Sequence, residues 1–416
     1  RLSGRRLSGA RLPAALAGLA LTLAACTSSL DDGVPTPVPE PTTVRDSPPV
    51  TPAPESAAPT TAAATTEPTE VETTPAAPVQ APQAPDLRDA SGSPIPYTAD
   101  LESSGATVLE LTTEWTYEGE PLIDGHLGAD GTLTGVWFGT TGWGVAAATP
   151  DGEETTTGDS SPGLTAVGNG AAILMPSLVG EHGQAWAEYV VPGEDPVALS
   201  RTSSTGGDWH PTRSAISGNG SLWLEGMEGT TPSVASVEPG GDPQVRMDPA
   251  WLLGPTERGV LATVDAGIDP RATVGEVALH EVTASGQPAL ILTATSGPQA
   301  PRLRPVAGTA SGDVVVLALE AGEGQPHRVL VVTGEEAIAV LATGTPTSPT
   351  IDGEWVGWGE RVSSMGEATR QYLLDTASGE LYFVGVSAIS HGFPSLASGQ
   401  VAWADSDGAI HVSPRP

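Results

Sequence analysis

The chain has 416 residues, with 17 basic against 50 acidic side chains, a formal net charge of −33 and a single cysteine. Such an excess of negative charge repels nucleic acid and anionic lipid headgroups. Every basic side chain is arginine, which excludes the Schiff-base and P-loop chemistries that need a lysine. The lone cysteine excludes a disulfide framework or a cysteine-rich metal site.

In chain order, the first element is an address. Arg1, Arg5, Arg6 and Arg11 precede an apolar run from Leu12 to Ala25 made almost wholly of Leu and Ala, the order of a signal peptide. The run is shorter than the ~20 residues a membrane-spanning helix needs, so it targets the chain without crossing. The tetrad Leu23, Ala24, Ala25, Cys26 resembles the lipobox of bacterial lipoproteins. That resemblance implies a diacylglyceryl group on the Cys26 thiol, cleavage before Cys26 (residues 1–25 being the leader), and the cell membrane as one partner, on its extracytoplasmic face. Two acyl chains suffice for stable attachment.

Residues 26–99 form the next expected unit, the lipidated end followed by a linker. From Leu30 to about Asp89 Pro, Thr, Ala and Glu dominate, as in "VPTPVPEPTTVRDSPPVTPAPESAAPTT", aromatics are absent, and no apolar periodicity offsets the entropy of ordering. This composition predicts a disordered stalk with stretches of polyproline II, rising ~3.1 Å per residue.

Residues 100–416 are expected to be one all-β domain. Short apolar runs alternate with Gly, Asp, Asn and Pro turns, and they repeat: "ADGTLTGVWFG", "AVGNGAAILMP", "AISGNGSLWLEG", "GPTERGVLATV", "GTASGDVVVLAL", "PTIDGEWVGWG", "PSLASGQVAWADSDGAIHV". The glycines before the strands are Gly131, Gly170, Gly220, Gly259, Gly312, Gly353 and Gly399. They lie about 40 to 50 residues apart, the period of four-stranded propeller blades. The expectation is a β-propeller of about seven blades, with six as the alternative count. Each repeat is read from an innermost strand outward, beginning at the glycine. The seventh copy is truncated, and "GATVLELTTEWTYEG" (105–119) is expected as a strand pair that completes it and closes the ring.

The repeat in residues 348–416, "SPTIDGEWVGWGE" with "RQYLLDTASGELYFVG" and "FPSLASGQVAWADSDGAIHV", resembles that of TolB-like bacterial propellers. That resemblance implies a platform for proteins or ligands. A second resemblance, of "RTSSTGGDWHP" (201–211) to the Asp box of sialidase-like propellers, concerns a structural turn and not a catalytic element.

Chemistry-bearing motifs are scarce. No H-E-x-x-H or G-x-S-x-G occurs, and His126, His182, His210, His280, His327, His391 and His411 lack metal-ligand spacing. No catalytic residue, metal site or cofactor is assigned. Asp405, Asp407 and Gly408 are read as a hairpin turn in preference to a calcium loop. Trp137, Trp186, Trp223, Trp355, Trp358 and Trp403 are read as packing between blades. Trp143 and Trp209, in glycine-rich surroundings, are the candidates for an exposed ligand-binding surface, weighed against ordinary loop packing. The leading functional expectation is a non-catalytic binding or scaffolding module for an envelope protein, glycan or small ligand. The alternatives are a sialidase-like extracytoplasmic glycan hydrolase and a mainly structural accessory subunit.

Overall fold

The computed structural model describes residues 84–139, 142–158, 162–176, 187–199, 209–228, 231–264, 275–296, 303–321, 327–362, 368–388 and 392–416. The expected leader, the expected lipobox residues Leu23, Ala24, Ala25 and Cys26, and the expected stalk as far as residue 83 lie outside the described residues. What is described is a seven-bladed, all-β propeller with a single short 3-10 turn, Ser103–Gly105.

Three blades are simple four-stranded meanders. Blade 1 runs Leu122–Leu127, Leu133–Gly139, Gly142–Thr149 and Gly152–Gly158. Blade 2 runs Pro162–Gly168, Ala171–Pro176, Ala187–Val190 and Val197–Leu199. Blade 3 runs Trp209–Ile216, Leu222–Glu228, Thr231–Val237 and Gln244–Met247. Blade 4 begins with Trp251–Pro255, Gly259–Val264, Glu276–Thr283 and Ala289–Thr295. Blade 5 has Leu303–Ser311, Val314–Ala321, His327–Thr333 and Glu336–Ala342. In blade 6 a split first strand, Thr345–Pro346 and Thr350–Asp352, precedes Trp355–Arg361, Thr369–Asp375 and Glu380–Ser387. Blade 7 has three strands of its own, Ser395–Ala397, Gln400–Ala404 and Ile410–Pro414.

The N-terminal segment supplies what blade 7 lacks, by a longer route than the sequence indicates. Asp86–Asp89 pairs with Ala289–Thr295 at the rim of blade 4, and Pro94–Ile95 folds back on it. Tyr97–Glu102 adds a parallel strand to blade 5, and Thr107–Val108 adds one to blade 6. Trp115–Tyr117 then pairs with Ile410–Pro414 as the fourth strand of blade 7. The expected strand pair within 105–119 is therefore two strands in two different blades. Sheet structure also starts at Asp86 rather than at residue 100, inside the segment expected as linker. Only Leu87 and Ile95 of this segment enter the core; Tyr97–Glu102 buries no side chain fully, and a strand of that kind needs an edge more than a core.

The ring closes because each first strand touches the first strand of the next blade, and Ser395–Ala397 touches Leu122–Leu127. The first strands thus line the central channel. The strand after each anchor glycine is the second of its blade, not the innermost as expected. Six of the seven anchors, Gly131, Gly170, Gly220, Gly312, Gly353 and Gly399, have positive φ in the turn joining first to second strand, where an L side chain is strained. Gly259 lacks it and opens its strand directly.

Packing follows the two-residue period of a strand. Seven separate apolar clusters occupy the seven blade interfaces. In Val314–Ala321, Val315 and Leu317 pack toward blade 4, while the intervening Val316 packs toward blade 6. Trp137, Trp223 and Trp358 are buried, as the packing assignment requires; Trp355 and Trp403 are partly buried, and Trp186 lies outside the described residues.

Candidate functional site

A meander of four strands places the first-to-second and third-to-fourth turns of every blade on one face, hereafter the turn face. The second-to-third turns and the links between blades occupy the opposite face. Two regions are candidates: the channel and the turn face.

The channel is shaped by an unpaired edge. First strands have no neighbour on their channel side, so they tolerate residues that break a ladder. Pro121, Pro162, Pro211, Pro249, Pro305, Pro349 and Pro394 stand in or just before the seven first strands. In blades 1 to 5 the pairing of first to second strand slips at a bulge, at Leu122/Asp124, Pro162/Leu164, Pro211/Arg213, Leu252/Gly254 and Pro305/Ala307. Blade 6 breaks its first strand outright between Pro346 and Thr350. The result is a ring of bulges, which re-aim side chains where they occur.

A cavity of about 210 Å³ opens at this ring, lined by Arg213, Ser214, Leu253, Gly254, Val306 and Ser348 among others. Arg213 is its charged group, with a side chain 39% exposed and an Nη1 that donates to the Leu252 carbonyl at 3.1 Å. Its Nε lies 3.9 Å from Oε1 of Glu225, which is 1% exposed. Glu225 is otherwise occupied: Oε1 accepts from Thr212 Oγ1 at 2.7 Å and Oε2 from the Leu252 N–H at 2.7 Å. Burial raises its carboxyl above the usual range, while Arg213 and the hydrogen bonds work the other way. A glycan hydrolase needs two carboxylates facing a cleft; this one faces inward and joins blade 3 to blade 4.

Glu360 has the same character between blades 5 and 6. It is fully buried, and Oε2 accepts from the Thr343 N–H (2.9 Å), Thr343 Oγ1 (3.0 Å), the Gly344 N–H (3.2 Å) and Ser103 Oγ (3.1 Å), while Trp358 Nε1 donates to Oε1 (3.2 Å). One carboxylate therefore ties the N-terminal segment to two blades.

The turn face is organised by the chain's two asparagines. Asn219 Oδ1 accepts from Ser217 Oγ and the Ser221 N–H, and its Nδ2 donates to the Arg258 carbonyl of blade 4 at 3.4 Å. The Asn219 N–H also donates to the Glu257 carbonyl, at 2.9 Å. Asn169, at φ 48°, sits so close to Gly220 that a Cβ there meets its Nδ2. The Asn219 slot is thus a stitch between the turns of blades 3 and 4, while the Asn169 amide packs against the turn of blade 3. Two cavities flank them, of about 550 Å³ over blade 3 and about 420 Å³ between blades 4 and 5. The second contains the Arg258–Glu281 ion pair, at 2.7 Å.

The two tryptophan candidates fare differently. Trp209 is not an exposed loop residue: it opens the first strand of blade 3, is 1% exposed, lies over Gly226 and donates Nε1 to Ser233 Oγ at 2.7 Å. Its glycine-rich approach reads as a loop, but the glycine that decides its position is across the hairpin. Trp143 is on the second residue of Gly142–Thr149, opposite Phe138, and its side chain lies outside the described residues. The residues missed by sequence reading are Tyr189 and Arg246, which line the larger cavity from adjacent blades; nothing in their local pattern distinguishes them from other strand residues.

Among the described residues no group of three or more His, Cys, Asp or Glu side chains is placed to hold a metal. Asp405 makes a hairpin turn: Oδ1 accepts from the Asp407 and Ala409 N–H groups, and Oδ2 pairs with His411 Nε2 at 2.9 Å.

No family model matches the chain, and no curated protein sequence does. Among solved structures, the chain is similar to a prolyl endopeptidase (15% identity, TM-score 0.42), covering 70% of this chain and 45% of that one. It thus spans less than half of that enzyme's length. It is also similar to apo AztD from Citrobacter koseri (12% identity, TM-score 0.37, covering 68% of this chain and 79% of that one). A third is the PQQ-bound aldose sugar dehydrogenase from Streptomyces coelicolor (10% identity, TM-score 0.38, 64% and 97%). The fold assignment rests on the pairing of the seven sheets themselves.

Proposed function

We propose that the chain is a lipid-anchored extracytoplasmic propeller, TolB-like in its repeat, that binds an envelope component without catalysis. Cys26 carries the diacylglyceryl anchor, the Pro/Thr-rich segment after it serves as spacer, and the propeller presents its turn face. The observation that carries this reading is the contrast between the two candidate regions. In the channel, Arg213 and Glu225 are engaged with each other and with blade 4, whereas the turn face has cavities of about 550 and 420 Å³ side by side, each lined by both polar and apolar groups. Cavities of that size lie in the range of ligand sites. Acidic composition directs the partner class away from nucleic acid and bare anionic lipid.

The test is a pull-down from detergent-solubilised envelope with the full lipidated chain and with Cys26→Ala. The reading expects one reproducible partner or glycan held by both forms, and release of the Cys26→Ala form from the membrane fraction. Turnover of a glycan by the purified chain overturns the non-catalytic part, and retention of Cys26→Ala in the membrane overturns the anchor.

A further inference from the structure

The cavity over blade 3 is walled by three blades. Tyr189 stands on the third strand of blade 2, the turn between the third and fourth strands of blade 3 contributes Glu238 and Asp242, the fourth strand contributes Gln244 and Arg246, and residues 284–285 of blade 4 close the third side. Tyr189 packs partly against the core between blades 2 and 3 and also lines the cavity. An aromatic ring at a half-buried wall offers a flat apolar surface with a hydroxyl at its tip.

Arg246 sits opposite in character. Its Nε donates to Ser236 Oγ at 2.9 Å, which fixes the guanidinium plane. Among the described residues its guanidinium has no salt-bridge partner. The Nη groups are fork-like donors. Glu238 and Asp242 are exposed acceptors on the same rim, and Gln244 offers both a donor and an acceptor.

We infer that this cavity is a subsite for a short neutral saccharide, held by Tyr189 stacking and by Arg246, Gln244 and the rim carboxylates. A hydroxyl-rich ligand uses all four kinds of group at once, since each hydroxyl both donates and accepts. The two rim carboxylates repel an acidic sugar, and a hydrophobic ligand leaves the Arg246 donors unpaired at a cost. This inference rests on the binding-module reading and names the ligand class for its turn face.

The experiment presents the full-length chain in detergent to an immobilised panel of neutral and acidic oligosaccharides, followed by titration calorimetry with the best neutral binder. Tyr189→Ala and Arg246→Ala are expected to weaken binding at least tenfold. Tyr189→Phe keeps most of it and reports that the fold is intact, and Arg258→Ala, in the neighbouring cavity, leaves it unchanged. The inference is overturned if no neutral oligosaccharide binds, if acidic ones bind more tightly, or if binding is indifferent to both Tyr189→Ala and Arg246→Ala. A protein partner retained from envelope alongside a blank saccharide panel removes the saccharide and leaves the binding module standing. Cleavage of a bound saccharide does the reverse.

Discussion

Gln371 and Ala404 exchange two hydrogen bonds across the interface of blades 6 and 7: Gln371 Nε2 donates to the Ala404 carbonyl at 2.5 Å, and the Ala404 N–H donates to Gln371 Oε1 at 2.9 Å. Gln371 is fully buried. The side chain imitates a neighbouring strand at an interface whose apolar cluster has only three fully buried members. Gln371→Ala orphans both backbone groups and is expected to cost about 2 to 4 kcal/mol. Gln371→Glu replaces the donor with an acceptor facing a carbonyl and is expected to be no milder. Urea unfolding monitored by tryptophan fluorescence measures both.

Glu360 makes a parallel prediction. Replacing it with Leu leaves the Gly344 N–H and Trp358 Nε1 without an acceptor and the Thr343 N–H with Ser103 Oγ alone, for an expected loss of about 3 to 5 kcal/mol. Ser103→Ala removes only the link to the N-terminal segment and is expected to cost about 1 kcal/mol. Equal losses for the two variants in thermal or urea unfolding contradict the role given to Glu360.

The N-terminal segment predicts a sharp length dependence. Removing residues 84–108 strips rim strands from blades 4, 5 and 6 but leaves Trp115–Tyr117 in blade 7. That truncation is expected to lower the unfolding midpoint while the chain stays monodisperse. Removing residues through Tyr117 exposes the edge of Ile410–Pro414 and breaks the closing sheet, so aggregation is expected. Size-exclusion chromatography with light scattering distinguishes the two.

Acid should destabilise the ring through His126 on the first strand of blade 1. Burial pushes it down from the usual 6.5 to about 4, and its Nδ1 has no hydrogen-bond partner among the described residues. The folded state therefore binds the proton less readily than the unfolded chain. The stability it contributes is complete above pH ~6.5 and is lost as pH falls from there toward about 4. His126→Gln is expected to flatten the pH dependence of the melting temperature in that window, and an unchanged slope contradicts the assignment.

Seven repeats were legible because turn chemistry recurs: a positive-φ glycine before an apolar strand leaves a mark at fixed spacing. The Gly-Asn-Gly slots of Asn169 and Asn219 were visible as a pair, but the packing of Asn169 against Gly220 and the hydrogen bond from Asn219 to Arg258 depend on the neighbouring blade. The route of residues 86–117 was not legible, because short strands added at a rim leave only isolated core side chains, Leu87, Ile95 and Tyr117, as a trace. Thr107–Val108, for instance, is wholly exposed. The channel bulges left only their prolines as a trace. Trp209 misled because local glycines predict a loop, while Gly226 and Ser233, which seat the ring, are distant in sequence. Tyr189 and Arg246 meet only through the assembly of blades 2 and 3, so no local pattern joins them.

The most direct measurement of the central claim is site-specific photo-crosslinking in the native envelope, with a benzoylphenylalanine placed at Ser285, exposed at the edge of the larger turn-face cavity, or at Val264, exposed at the end of a second strand on the opposite face. The account predicts a discrete adduct from Ser285 and none from Val264. An adduct from Val264 alone contradicts the assignment of the turn face as the binding surface.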